Sequence, residues 1–158
     1  MHCKTFAALF SLLLCTPLFS QKVEPTYKQV AYGPHQDMVL NFWKIDSKKP
    51  TPLLVHIHGG GWLGGKKNET TSPNQMRNGY SYASIDYRLA GTELLPAAVH
   101  DAARAIQFLR TKAEEWNIDP KRIAVTGGSA GAASSKWLAY NDDLADPKSK
   151  DPILRQSS

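Results

Sequence analysis

The chain has 158 residues, of which 42% are hydrophobic, 21% charged and 9% aromatic, with a formal charge of +5. These proportions exclude a disordered, collagenous or coiled-coil protein. The length allows one domain at most, with a core that buries about 68–70% of the surface the unfolded chain exposes. The basic residues are spread singly or in pairs such as Lys48-Lys49 and Lys66-Lys67. That reads as solvated surface and excludes the clustered stripe that nucleic-acid binding requires.

Residues 1–20 read as a secretory signal. Lys4 precedes an apolar run over 6–15, and Ser20 supplies the small residue before a cut. The run is shorter than the roughly 18 residues that would span a bilayer, so no stable membrane anchor is expected. Both cysteines, Cys3 and Cys15, fall inside this segment. The remainder, 21–158, is then expected to lack disulfide and thiol chemistry and to reside outside the cell or in a periplasm.

Further along, β-formers predict a strand over 39–45, and a near-continuous apolar run predicts a buried strand over 53–57. Two more strands are predicted over 80–87, entered through Asn78-Gly79, and over 122–126, entered through Asp119-Pro120. Between them, Val99, Ala102, Ala103, Ile106, Leu109, Ala113 and Trp116 recur in steps of three and four, which predicts one long amphipathic helix with Pro96 at its start. Strands alternating with a helix mean an α/β fold with a mostly parallel sheet and flanking helices, whose ligands gather at the carboxyl ends of the strands.

Two of those strand ends carry distinctive residues. Gly127-Gly128-Ser129-Ala130-Gly131 stands between a strand and a helix-prone stretch. There a serine occupies a sharp elbow, and glycines flank it because a Cβ would clash. His58-Gly59-Gly60-Gly61-Trp62 follows the strand over 53–57, and its glycines free the backbone to aim N–H groups at a substrate oxygen. Either motif alone is weak, since a glycine-rich turn is more often only a turn. Together, each at its expected strand end, they specify a serine nucleophile facing an oxyanion-binding loop.

On these residues, with Asp86-Tyr87-Arg88-Leu89-Ala90 and Pro96-Ala97-Ala98 followed by Asp101, the chain resembles the α/β-hydrolase superfamily. Within it the resemblance is to secreted bacterial esterases related to hormone-sensitive lipase and to feruloyl-esterase-like enzymes. Gly91-Thr92-Glu93 stands where that group commonly has Pro-Glu, which weakens the subgroup and not the superfamily. The resemblance implies that Ser129 is the nucleophile and that the backbone N–H groups of Gly60, Gly61 and Ala130 hold the oxyanion. It also implies that His58 organises its loop and that Asp86 and Arg88 are structural, with Asp101 a candidate partner for Arg88. The reaction implied is hydrolysis of a carboxylic ester, small or linked to a polysaccharide, through an acyl-enzyme, with no cofactor and no metal.

That mechanism needs a histidine and a carboxylate, and in this fold both follow the serine. The five histidines are His2, His35, His56, His58 and His100, all before Ser129. Asp142, Asp143, Asp146 and Asp151 do follow it, on a polar stretch that reads as a solvated loop. The expectation is therefore the N-terminal part of an α/β-hydrolase domain with its C-terminal half absent, which as this chain folds poorly and does not turn over activated esters. A degenerate noncatalytic relative and a partner chain that supplies the rest are the alternatives.

Two rivals belong to other classes. Gly127 to Ala133 also resembles the phosphate-binding turn of short-chain dehydrogenases, but that turn should open the first βα unit and leaves the His58 to Trp62 motif unexplained. A noncatalytic binding module would have no use for the glycines at the loop. Asn68-Glu69-Thr70 is a glycosylation sequon that matters only in a eukaryotic secretory pathway.

Overall fold

A computed structural model describes residues 22–71 and 76–158. The predicted signal segment, with Cys3 and Cys15, lies outside the described residues. Five strands form one sheet: β1 (Tyr27–Ala31), β2 (Val39–Trp43), β3 (Thr51–Ile57), β4 (Ser81–Ile85) and β5 (Ile118–Gly127), in the order β1-β2-β4-β3-β5. β2 is antiparallel to both β1 and β4, whereas β3 runs parallel to β4 and to β5. Four strands thus point one way, and the sheet is mostly parallel as expected.

The helices are α1 (Ala97–Thr111), α2 (Ala113–Trp116) and α3 (Ala130–Tyr140). The single helix expected to reach Trp116 is two. Lys112, at φ −92° and ψ 3°, leaves the helical region, and Asn117 closes α2 in the left-handed conformation at φ 58°. The apolar period nevertheless runs through the break, because Trp116 packs face to face with Tyr27 at 4.7 Å and against Phe42 at 4.6 Å. Those aromatic contacts hold the first turn after the break onto β1 and β2.

One face of the sheet carries Leu53, Val55 and Ile57 against the buried stripe of α1, which includes Ala98, Ala102, Ala105, Ile106 and Leu109. β4 is buried along its whole length, the mark of a strand covered on both faces. Its second cover is the segment after β3. Asn68 donates its backbone N–H to Ser84 Oγ and its side-chain amide to Tyr82 Oη, at 2.9 and 2.6 Å. The sequon asparagine therefore turns inward, away from any glycosylating enzyme.

β5 is longer than its predicted core and includes Pro120. The proline falls in the irregularity between the Thr51–Ile118 and Leu53–Ile123 pairings, where no ladder bond is lost. The stretch read as a solvated loop after Tyr140 is in fact tethered. Arg104 pairs with Asp151 at 2.7 Å, Gln107 donates to the Gln156 carbonyl, and Ile153 packs against the core.

Arg88 and Asp101 do pair. Arg88 donates its backbone N–H, Nε and Nη2 to the Asp101 carboxylate, the shortest contact being 2.6 Å, and Asp101 is 1% exposed. Replacing Arg88 with methionine leaves that carboxylate buried without its cation, which costs about 3–5 kcal/mol for a wholly buried pair. Arg88 keeps 25% side-chain exposure, so the lower end applies. A urea-unfolding midpoint for R88M equal to that of the parent would contradict this assignment.

Candidate active site

The register of the parallel strands assembles the site. Ile57 of β3 pairs with Ile85 of β4 and with Gly127 of β5, so the three strands end level. His58, Asp86 and Gly128, far apart in sequence, therefore leave the sheet side by side.

From β5 the chain turns into α3 through Ser129, which has φ 53° and ψ −119°. A side chain in that region carries about 1–3 kcal/mol of backbone strain. The turn is tight enough to exclude side chains on either side. A Cβ on Gly127 would lie 2.4 Å from the Ile57 carbonyl oxygen, and one on Gly131 only 2.0 Å from the same atom. The flanking glycines of the motif are thus required by the close approach of α3 to the end of β3. Ser129 is exposed, and its hydroxyl has no hydrogen-bond partner among the described residues.

The loop after β3 comes over this serine. The position a Gly59 Cβ would take is 3.5 Å from Ser129 Cβ and 2.8 Å from the Gly128 carbonyl oxygen, so only glycine fits there. Gly60 and Gly61 follow at φ 113° and 63°, and Trp62 at φ 59°. Leu63 and Gly64 donate their N–H groups to the Gly60 carbonyl, and Gly131 donates to Gly128. The N–H groups of Gly60, Gly61 and Ala130 have no such acceptor among the described residues. Ala130 opens α3, where the field of the helix N-terminus favours negative charge.

The surrounding residues fix the loop. Trp62 donates its indole N–H to Ser134 Oγ of α3 at 3.1 Å, and its carbonyl accepts from Ala90 at 2.6 Å. Sequence reasoning gave Trp62 no role of its own. Ser134, at 1% exposure five residues past the elbow, ties the loop directly to the serine's helix. His58 is buried beneath the Tyr87 ring, stacked at 4.2 Å. Its Nδ1 lies 2.7 Å from the Gly59 carbonyl, which can only accept, so Nδ1 carries the proton. Tyr87 donates its hydroxyl to the His58 carbonyl, and burial together with the nearby Asp86 pushes that phenol up to about 12, so it stays a donor.

The pair Lys66-Lys67 is not solvated throughout, contrary to expectation. The Lys67 side chain is 2% exposed and its Nζ lies 3.1 Å from Asp86 and 3.1 Å from Glu69. Nothing in a twofold basic run signals this, because the partner that draws the side chain inward is on a different loop.

None of the four described histidines bonds the Ser129 hydroxyl. His58 is committed to Gly59, His35 neighbours Asp37, His56 contacts Ser84 on the sheet, and His100 packs on Trp137. Burial and the nearby His58 pull the His56 imidazole below its usual range. No cluster of three metal-ligating side chains occurs among the described residues.

A mostly parallel sheet with a strained serine between strand and helix, faced by a glycine loop from the neighbouring strand, is the arrangement of an α/β-hydrolase fold. The chain belongs to the BD-FAE family, which matches residues 42–153. It is similar to carboxylesterase NlhH of Mycobacterium tuberculosis, 36% identical over 101 residues that cover 62% of this chain and 32% of that protein. Esterase LipQ of the same organism is 32% identical over 127 residues, covering 75% and 30%. The chain spans about a third of the length of these relatives. Among solved structures, an acetyl ester-xyloside bifunctional hydrolase from Caldicellulosiruptor lactoaceticus superposes with a TM-score of 0.69 at 26% identity, covering 85% of this chain and 54% of that one. Thermogutta terrifontis esterase Est2 gives 0.57 at 29% identity, covering 75% and 45%.

Proposed function

We propose that the chain carries the nucleophile and the oxyanion hole of a serine carboxylic-ester hydrolase. Ser129 is the nucleophile, and the Gly60, Gly61 and Ala130 N–H groups hold the oxyanion. The reading rests above all on one observation: a serine in a strained strand-to-helix turn, whose hydroxyl and the neighbouring Gly60, Gly61 and Ala130 N–H groups have no hydrogen-bond partner among the described residues. In the first step Ser129 Oγ bonds to the ester carbonyl carbon, and its proton passes to solvent water, which returns one to the departing alcohol oxygen. The carbonyl oxygen gathers negative charge toward the three donors, and the bond to the alcohol oxygen then breaks. Water hydrolyses the acyl-enzyme and restores the serine.

A positioned base is needed for turnover, and no described histidine is placed to act on Ser129. The oxyanion donors and substrate binding alone still sustain a residual 10³–10⁴-fold acceleration in serine hydrolases stripped of a triad member, an order-of-magnitude guide here. The 158-residue chain is therefore expected to take up one acyl group without multiple turnover. Incubation with p-nitrophenyl acetate should give a single acetyl adduct in the intact mass spectrum, mapped to Ser129 by peptide sequencing. An unmodified chain, or an adduct spread over lysines, would overturn the reading.

An ester on a polysaccharide fits as substrate, supported by the likeness to the acetyl ester-xyloside hydrolase. Residues 1–20 support a secreted or periplasmic location, where such esters are met.

A further inference from the structure

Lys67 is a buried cation that the reaction just proposed does not use, and its contacts lead to the glycine loop. Its ammonium and its backbone N–H both donate to Asp86, on Oδ2 at 3.1 Å and on Oδ1 respectively. Asp86 Oδ1 lies 3.7 Å from His58 Nε2, a packing contact longer than a hydrogen bond that seats the ring against the carboxylate. On the far side of the ring, His58 Nδ1 donates to the Gly59 carbonyl at 2.7 Å. In a trans peptide the C=O and the following N–H point in opposite directions. Whatever holds the Gly59 carbonyl toward His58 therefore turns the Gly60 N–H away from that ring. The chain of contacts closes on itself at Gly65. A Cβ there would lie 2.4 Å from both the Gly59 oxygen and His58 Nδ1, so the return of the loop toward Lys67 passes directly over the peptide that is being oriented.

We propose that Lys67 is a positioning residue: its buried ammonium fixes Asp86 and, through His58, sets the Gly59–Gly60 peptide so that the Gly60 N–H faces the oxyanion. A surface pair would not serve this purpose, since an exposed lysine holds its partner weakly and in many geometries. Burial at 2% exposure with two carboxylate partners leaves Lys67 one arrangement. The inference rests on the oxyanion-hole reading, and the two can fail separately.

The test uses the whole 158-residue chain and a fluorophosphonate, whose phosphorus bonds to Ser129 Oγ as fluoride leaves and the serine proton passes to solvent, with the oxyanion donors facing the phosphoryl oxygen. Rate against reagent concentration separates reversible binding from the bond-forming step. Lys67→Met is expected to slow the bond-forming step about 100-fold, the scale of one lost oxyanion donor, with reversible binding unchanged within about twofold. The Gly60 amide resonance should shift in Lys67→Met, while the urea midpoint of Lys67→Arg and its labelling stay close to the parent. Because Lys67→Met leaves Asp86 without its cation, Lys67→Met/Asp86→Asn is measured beside it. The double variant removes both charges and should label no more slowly than the single one. Full-rate labelling in the folded double variant, or a change confined to reversible binding, would overturn the role of Lys67. A parent chain that takes no label would overturn the oxyanion-hole reading, and an unshifted Gly60 amide resonance in Lys67→Met would overturn the positioning role independently.

Discussion

Replacing Ser129 with glycine is expected to abolish acyl and phosphonyl labelling while making the folded chain more stable by about 1 kcal/mol. The two effects come from the same backbone. At φ 53° and ψ −119° a serine carries strain of about 1–3 kcal/mol that glycine does not, and glycine returns part of the gain through its freer unfolded state, about 0.5–1 kcal/mol. Ser129→Ala separates the contributions: it keeps the strain, removes only an exposed hydroxyl with no partner among the described residues, and should leave the urea midpoint within about 0.5 kcal/mol while labelling is lost. A structural serine would behave in the opposite way, with stability falling in both variants. Unfolding curves and intact masses on the three chains decide between the two.

Gly131→Ala is expected to have the largest effect on stability. The new methyl carbon would lie 2.0 Å from the Ile57 carbonyl oxygen and 2.9 Å from that of His58. Both are backbone atoms in or beside β3, so neither can swing aside as a side chain would. Either α3 moves off the sheet or β3 shifts, and overpacking typically costs about 1–3 kcal/mol, with a clash against backbone placing this variant at the upper end. Gly128→Ala, three positions earlier in the same motif, meets nothing within 4 Å and should be tolerated. Equal midpoints for the two variants would refute the account of why the motif needs its outer glycines.

The contrast between those glycines also indicates what the sequence discloses. The strand ends and the two glycine motifs were legible because each depends on local chemistry: an apolar run, then residues lacking a Cβ. β1 was not legible. Its Gln29 sits at φ 55° and the pairing with β2 slips between Tyr27 and Val30, so no regular alternation marks it. The break at Lys112 was hidden because Trp116 remains on the apolar stripe after the helix ends. Lys67 and Trp62 escaped for a different reason. Their partners, Asp86 and Ser134, stand on other loops and helices, and a long-range contact leaves no periodic trace in the chain.

The level ends of β3, β4 and β5 also bear on the order of events in folding. Gly60 and Ser129 come together only after β3 has paired in parallel with β5, and the contact Ile57 to Gly127 closes a loop that contains β4, α1 and α2. Such non-local pairings form slowly, because loop closure must precede the contacts that reward it. Reactivity at Ser129 is thus a clock for completion of the central sheet. In refolding experiments it should rise after helical circular dichroism has recovered, as one of the last properties the chain acquires.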